Sequence, residues 1–151
     1  MIASSPYHSL IAQAKNGSGK TGSFAIGSVM RVDRDDPAIQ VICIVNVREL
    51  CNQIASVYEK IVMGTGITLL NTMNETKQTS AQIIVTTHGK LDKLLGGRKP
   101  LDLSKLKCIV VDEADVFFLD DKNHASLKKI AGNKAIKGNE NIQWILFSAT
   151  F

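Results

Sequence analysis

The chain has 151 residues, of which 44% are hydrophobic and 5% aromatic, and its formal net charge is +4. This length suits one domain with a mainly aliphatic core, and the positive charge permits a polyanionic partner. No apolar run approaches a membrane span and no secretory leader is recognisable, so we expect no membrane partner. Three cysteines cannot all pair, so we expect free thiols and a cytoplasmic or nuclear location.

Hydrophobic runs of strand length alternate with stretches of helical spacing along most of the chain. Residues 41–45 are continuously apolar, as in a strand buried on both faces of a parallel sheet. Apolar residues spaced four, three and four from Leu50 to Ile61 predict an amphipathic helix closed by Gly64 and Gly66. The predicted strands are residues 10–12, 41–45, 67–70, 82–85, 108–111 and 142–147, and the predicted helices are residues 20–30, 50–61, 86–95 and 125–131.

The stretches between these elements predict turns and loops. Residues 1–9 lack periodicity and predict a frayed lead-in, whereas the acidic run 33–37 predicts a solvated turn and nothing more. Residues 103–106 predict a short helical link. Because strands and helices alternate, we expect an α/β fold with an open, mostly parallel sheet and ligands at the carboxyl ends of its strands. The remaining predicted loops are residues 71–80, 96–100 and 134–141.

A glycine-rich segment joins the first predicted strand to the first predicted helix. Two glycines two positions apart let successive N–H groups turn inward, and the helix N-terminus adds unpaired amides and its positive dipole end. This nest suits a polyphosphate, because Lys20 can reach the β- and γ-phosphates and the Thr21 hydroxyl can ligate the bridging Mg²⁺. A glycine-rich turn with an exposed lysine is the alternative interpretation. The predicted phosphate-binding residues are Ala14, Lys15, Asn16, Gly17, Ser18, Gly19, Lys20 and Thr21.

Carboxylates follow the predicted strand at residues 108–111. An acid that ends a hydrophobic strand is costly to bury unless it serves a cation, so Asp112 is placed to hold Mg²⁺, mostly through water. Glu113 is the candidate that orients and deprotonates the water attacking the γ-phosphate. The alternative is that Asp112 or Asp115 merely caps the next helix.

Two hydroxyl residues, Ser148 and Thr150, follow the last predicted strand. Hydroxyls in such turns most often bond their own backbone. The functional alternative is that Ser148 and Thr150 bond Asp115 and link the nucleotide state to a partner domain.

These motifs resemble those of the DEAD-box RNA helicases in order and approximate spacing: A-x-x-G-x-G-K-T at residues 14–21, D-E-A-D at 112–115 and S-A-T at 148–150. The resemblance covers nearly the whole chain as the first of that family's two RecA-like domains. It implies a P-loop, RecA-like three-layer fold over residues 1–151, ATP and Mg²⁺ as ligands, and ATP-dependent binding and local unwinding of RNA. Residues 10–13, Val116 and residues 146–151 look closest to the mRNA-export branch, which makes mRNA-export regulators candidate partners.

Two further family motifs appear here in altered form. The family's P-T-R-E-L corresponds to residues 46–50, where Val47 replaces the phosphate-contacting threonine and has no hydroxyl. The family's T-P-G-R corresponds to residues 87–90, where Lys90 keeps the charge but loses the bidentate fork of arginine. We expect His88, which replaces the proline, to be a solvated loop histidine. The RNA-binding residues that the resemblance implies are Arg48, Thr87, Gly89 and Lys90.

Two parts of the family pattern do not occur in these 151 residues: the upstream segment whose glutamine reads adenine, and the second RecA-like domain. Because that second domain supplies an arginine finger, we expect the isolated domain to be nearly inactive and the second domain of the same parent protein to be its partner. Two alternatives stay open. The chain could belong to a DNA-directed helicase, or to a nucleotide-dependent RNA- or protein-binding scaffold that has lost turnover.

Overall fold

The computed structural model describes residues 2–3, 5–15, 17–74 and 80–150. Within these ranges the strands are β1 (Leu10–Gln13), β2 (Val41–Val45), β3 (Leu69–Asn71), β4 (Ile83–Thr87), β5 (Cys108–Val111) and β6 (Gln143–Ser148). The helices of the same ranges are α1 (Lys20–Val29), α2 (Arg48–Val62), α3 (His88–Leu95), α4 (Ala114–Leu119), α5 (Asp121–Ala131) and α6 (Lys134–Lys137).

The strands form one sheet in the order β1-β6-β5-β2-β4-β3, and each neighbouring pair is parallel. Gln13 at the end of β1 pairs with Ser148 at the end of β6, and Val111 at the end of β5 pairs with Leu146, so these three strands end within two residues of one another. Val45 of β2 pairs with Thr87 of β4 in the same way. The strands therefore deliver the loops that follow them to one edge of the sheet, where ligands bind in open α/β sheets.

Apolar side chains of β2 alternate between two cores, one on each face of the sheet. Val41, Cys43 and Val45 pack in the core under α1 and α2, whereas Ile42 and Ile44 pack in the core under α3, α4 and α5. Each fully buried aliphatic side chain contributes about 1.5–3 kcal/mol to folding. This two-sided burial explains why β2 is apolar at every position, and it confirms the predicted three-layer α/β fold.

The predicted helices and strands are present with shifted ends, and the main differences follow β4 and β5. Thr86 and Thr87 complete β4 instead of starting the next helix, because β-branched residues fit a paired strand well. Helix α4, which follows β5 directly after Glu113, was not predicted. Residues 103–106 form a turn closed by a 3.1 Å backbone hydrogen bond, so the predicted helical link is wrong.

Two predicted loops differ from the structure or lie partly beyond it. Helix α6 occupies part of the loop predicted at residues 134–141. Residues 75–79 of the loop predicted at 71–80, and Phe151 at the end of the chain, lie outside the described residues. Among the described helices, none combines the length and the apolar character needed to cross a membrane.

The lead-in before β1 is held in place, so the prediction of a frayed segment is wrong for its described residues. The Arg31 guanidinium lies 3.8 Å from the centre of the Tyr7 ring, a cation–π contact. The Gln143 amide donates a 2.8 Å hydrogen bond to the His8 carbonyl. These contacts join residues more than 20 positions apart, so local sequence could not reveal them. Met1 and Ser4 lie outside the described residues.

The acidic run before β2 forms a turn, as predicted, but two buried glutamines also anchor it. The Gln40 Nε2 donates to the carbonyls of Asp33 and Asp36, each at 2.8 Å. The Gln82 Nε2 donates to the same Asp36 carbonyl at 2.8 Å. Because buried amides must be hydrogen-bonded, these contacts fix the turn against the sheet, and a purely solvated turn is wrong.

Candidate nucleotide and RNA site

The loop between β1 and α1 depends on two left-handed glycines. Gly17 has φ +77° and Gly19 has φ +84°, a region that other residues rarely adopt. A methyl group added at either position would meet nothing within 4 Å, so backbone conformation, not space, requires glycine. Ala14 is not left-handed, as expected, and its N–H donates a 3.0 Å bond to the Ser148 carbonyl. Asn16 lies outside the described residues.

Helix α1 presents its N-terminus to this loop. Gly19 is the N-cap and carries no side chain, and no side-chain cap is found for α1 within the described chain. Helix N-termini of this kind bind anions, because their first amides point outward and the helix dipole is positive there. Lys15 and Ser18 are exposed on the loop, and the Ser18 N–H donates to the Lys15 carbonyl at 3.2 Å.

The loop and the acidic segment after β5 share one cleft of about 410 Å³. The strand order explains this, since β6 lies between β1 and β5 and the three strands end within two residues of one another. The electrostatics agree with the geometry: burial raises the pKa values of both Asp112 and Glu113, and the Lys20 ammonium offsets part of this rise at both carboxylates. The cleft is lined by Gly17, Gly19, Lys20, Thr21, Leu50, Asp112 and Glu113.

Asp112 is a buried carboxylate at the foot of this cleft, with 7% of its surface exposed. Burial raises the pKa of Asp112, and Asp115 adds to the rise. A 3.0 Å hydrogen bond from the Glu113 N–H and the charge of Lys20 oppose it. A bound cation would stabilise the ionised form of such an acid, because a positive charge offsets the cost of burying the carboxylate.

Glu113 has a strained backbone that the sequence did not indicate. Its φ of 52° and ψ of 49° are left-handed, and among the described residues it is the single non-glycine with positive φ. Such a conformation costs about 1–3 kcal/mol and is concentrated at functional sites. Burial raises the pKa of Glu113, and the neighbouring Asp112 and Asp115 add to the rise. A raised pKa brings a carboxylate closer to the value that suits a general base near neutral pH.

Ser148, the last residue of β6, and Thr150 together make both kinds of hydrogen bond that the sequence allowed. The Ser148 hydroxyl donates to the Thr150 carbonyl and accepts from the Thr150 N–H at 3.0 Å, which is a local turn. The Thr150 hydroxyl donates to the Asp115 carboxylate at 2.6 Å. Burial raises the pKa of Asp115, but the hydrogen bond from the Thr150 hydroxyl, together with smaller contributions from Ser148 and from backbone N–H groups, outweighs it, so the pKa is lowered. This contact joins the end of β6 to α4.

The predicted RNA-binding residues lie at the carboxyl ends of two paired strands. Arg48 is the first residue of α2, directly after β2, and is exposed. Thr87 ends β4, and the exposed Gly89 and Lys90 lie in the first turn of α3. Val47 is the N-cap of α2 and is 43% exposed. The topology therefore brings both segments to the edge of the sheet that carries the cleft.

His88 is not the solvated loop histidine that we expected. It is the first residue of α3, and its ring packs edge-on against Phe117 of α4, with ring centroids 5.5 Å apart. Its Nδ1 atom is buried and has no hydrogen-bond partner among the described residues. Burial lowers the pKa of His88, whereas the carboxylates of Asp120 and Asp92 act to raise it. Because α4 was not predicted, neither was this contact.

The parallel sheet of this chain brings a glycine-rich loop, a lysine and a buried acid to one cleft. These features define the class of P-loop nucleotide-binding domains with a RecA-like fold. The family model for DEAD/DEAH box helicases matches residues 2–151. The chain belongs to the DEAD/DEAH box helicase family.

Named relatives and solved structures are similar over the whole chain. DEAD-box ATP-dependent RNA helicase 38 of Arabidopsis thaliana is 37% identical over 161 residues, which cover 100% of this chain and 32% of the relative. Dbp5 of S. cerevisiae bound to RNA and ADP BeF3 has a TM-score of 0.84 at 32% identity over 99% of this chain and 38% of that one. A Dbp5 variant bound to Gle1 and IP6 has a TM-score of 0.87 at the same identity and coverage. The chain thus spans about a third of the length of the curated relatives it matches.

Proposed function

We propose that this chain is the ATP-binding half of an ATP-dependent RNA helicase, which couples ATP binding and hydrolysis to RNA binding and local duplex unwinding. One observation carries the proposal: Lys20, Thr21, Asp112 and Glu113 line a single cleft together with the left-handed Gly17 and Gly19. Membership of the helicase family supports it, as does the similarity to Dbp5 bound to RNA and ADP BeF3.

Each residue of the cleft has a distinct task in this proposal. The backbone around Gly17 and Gly19 cradles the phosphates, and the Lys20 ammonium compensates their charge. The Thr21 hydroxyl and the buried Asp112 carboxylate suit Mg²⁺, which is usually held by one or two carboxylates together with substrate phosphates. When bound, Mg²⁺ supplies further positive charge to the phosphates that react. Within the described residues, no group of three or more His, Cys, Asp or Glu is placed to hold a metal ion.

Glu113 and Asp115 divide the remaining work between chemistry and coupling. Glu113 orients the attacking water and accepts its proton, a task that its raised pKa suits. Asp115 keeps its charge through the hydrogen bond from Thr150, with support from Ser148. The segment after β6 is therefore tied to the helix that starts at the catalytic acid, and through it nucleotide state reaches a partner domain.

The RNA interface in this proposal runs along the ends of β2 and β4. Arg48 and Lys90 supply positive charge for RNA phosphates, and the half-buried Thr87 and the exposed Gly89 supply uncharged contacts. Phosphate contacts of this kind position a nucleic acid without reading its sequence. The interface is therefore sequence-independent, as local unwinding of varied duplexes requires.

The domain boundaries and partners extend the proposal. Residues 1–151 form one RecA-like domain, and a second RecA-like domain outside these residues completes the ATP site with its arginine finger. We place the protein in the cytoplasm or nucleus, which its three free cysteines support. Regulators of mRNA export are candidate partners, since a similar Dbp5 structure contains Gle1.

The test separates nucleotide binding from turnover. A fluorescent ATP analogue should bind the wild-type chain, and Lys20→Ala should weaken binding at least about tenfold because the charge compensation is lost. Lys60→Ala, an exposed lysine on α2, is the matched control and should bind like the wild type. ATPase activity of the complete gene product should rise with RNA but not with DNA, and Glu113→Gln should abolish it. Equal stimulation by DNA would instead indicate a DNA-directed helicase.

A nucleotide-dependent scaffold without turnover is the second candidate. The exposed Val47 favours it, because it offers no hydroxyl where the family has a phosphate-contacting threonine. Tight binding of the ATP analogue together with no ATPase activity under any condition would support the scaffold and contradict the helicase.

A further inference from the structure

His88 lies where three helices meet, next to the proposed RNA interface. It begins α3, and its ring contacts Phe117 of α4 edge-on at 5.5 Å. Two carboxylates face it, Asp92 on its own helix and Asp120 at the N-cap of α5. Asp92 itself forms an ion pair with Lys129 of α5 at 2.8 Å, which weakens its stabilisation of a protonated His88. The ring is thus in contact with Phe117 and near Asp120, whose carboxylate also accepts a 2.8 Å hydrogen bond from the Asn123 N–H and carries no ion pair among the described residues.

The present packing favours the neutral ring. Burial against Phe117 lowers the pKa of His88, although Asp120 and Asp92 oppose the change. Nδ1 is buried and makes no hydrogen bond within the part of the chain that the structure describes. A protonated ring would be stabilised by the negative charges of Asp120 and Asp92, which act to raise its pKa. The protonation state of His88 therefore depends on the charge around it.

A phosphate group at the start of α3 would change this balance. Gly89 and Lys90 follow His88 directly and are both exposed. A methyl group added at Gly89 would meet nothing within 4 Å, so a ligand can approach the backbone there. Lys90 attracts an anion to the same place. Negative charge next to an imidazole stabilises its protonated form and raises its pKa.

We propose that His88 makes RNA binding proton-linked: it takes up one proton when an RNA phosphate binds at Gly89 and Lys90. The inference rests on the RNA interface proposed above and deepens it. The pKa of His88 is then higher in the complex than in the unbound protein. Between the two pKa values binding takes up a proton, so RNA affinity rises as pH falls, by at most about tenfold per pH unit.

The experiment measures RNA affinity of the complete gene product from pH 5.5 to 8.0 at constant ionic strength, using fluorescence anisotropy of a labelled single-stranded poly-uridine RNA. Wild-type affinity should rise about three- to tenfold from pH 7.5 to 5.5. His88→Phe keeps an aromatic ring against Phe117 but cannot titrate, so its affinity should not change with pH. His124→Phe is the matched control, because His124 also packs edge-on against a phenylalanine, Phe118, at 5.7 Å. It should keep the wild-type pH dependence.

A second measurement follows the proton directly and does not depend on a variant. The NMR titration midpoint of His88 in the wild-type protein should move to higher pH when poly-uridine RNA is present at saturation. An unmoved midpoint, or full pH dependence in His88→Phe, overturns the proton linkage and leaves the proposed function intact. Absence of RNA binding by the wild type at every pH overturns both.

Discussion

At the scale of single residues, the nucleotide loop is defined by backbone conformation at its glycines. Gly19 is left-handed at φ +84°, whereas Gly22, three residues later, lies inside α1. Neither position is limited by space, because an added methyl group would meet nothing within 4 Å at either one. Because the two positions differ in backbone conformation but not in available space, substitutions there measure the effect of conformation alone.

Alanine substitutions at these glycines should change stability in opposite directions. Gly19→Ala should lower the free energy of unfolding by about 1–2 kcal/mol, because alanine is strained in the left-handed region. Gly22→Ala should raise it by about 0.5–1 kcal/mol, because alanine loses less backbone entropy in a helix. Urea denaturation of the isolated chain measures both. Equal effects of the two changes would contradict a left-handed Gly19.

The residues of the site differ in how far sequence could predict them. Gly17, Gly19 and Lys20 were found from local pattern, because a phosphate nest is built from consecutive residues. Glu113 was predicted as the candidate base, but its left-handed backbone was not, since no residue type signals strain in an acid at a helix start. His88 was misjudged for a similar reason. Its burial depends on Phe117, 29 positions away on a helix that the sequence did not predict.

At the scale of elements, strands were easier to predict than the starts of helices. The parallel strands are buried on both faces, so continuous apolar runs identified β2 and β5 with the same first and last residues that the structure shows, 41–45 and 108–111. Helix starts depend on capping, and α2 begins without a side-chain cap among the described residues because its N-cap is Val47. Anchors such as Gln40 and Gln82 bond partners across loops, which periodicity does not record.

A capping residue at the start of α2 should stabilise the chain. Val47→Thr keeps the β-branched shape and adds a hydroxyl that can accept a hydrogen bond from the first turn, so the free energy of unfolding should rise by about 0.5–1.5 kcal/mol. Val47→Ala adds no acceptor and should change stability little, because the side chain is 43% exposed. Thermal and urea denaturation compare the two variants. A threonine variant no more stable than the alanine variant would show that α2 is not limited by its cap.

At the scale of the whole molecule, one core carries several ionisable groups that are neutral at pH 7. Cys43, Cys108 and Tyr58 are fully buried on the face of the sheet under α1 and α2. Burial raises the pKa of each of them, and that of Cys108 reaches about 12. The folded protein therefore keeps protons that the unfolded chain loses above its ordinary thiol pKa of about 8.5.

This difference in bound protons predicts loss of stability at alkaline pH. When the folded state binds more protons than the unfolded state, the free energy of unfolding falls as pH rises. Each such group contributes up to about 1.4 kcal/mol per pH unit, from the unfolded pKa up to the folded one. Urea denaturation between pH 8 and 11 measures the slope. Cys108→Ala removes one titrating group, so the free energy of unfolding of this variant should fall less steeply with pH, by up to about 1.4 kcal/mol per pH unit. This holds even though the lost thiol lowers stability at pH 7. An unchanged slope in this variant would mean that Cys108 is deprotonated in the folded protein, contrary to its full burial within the core.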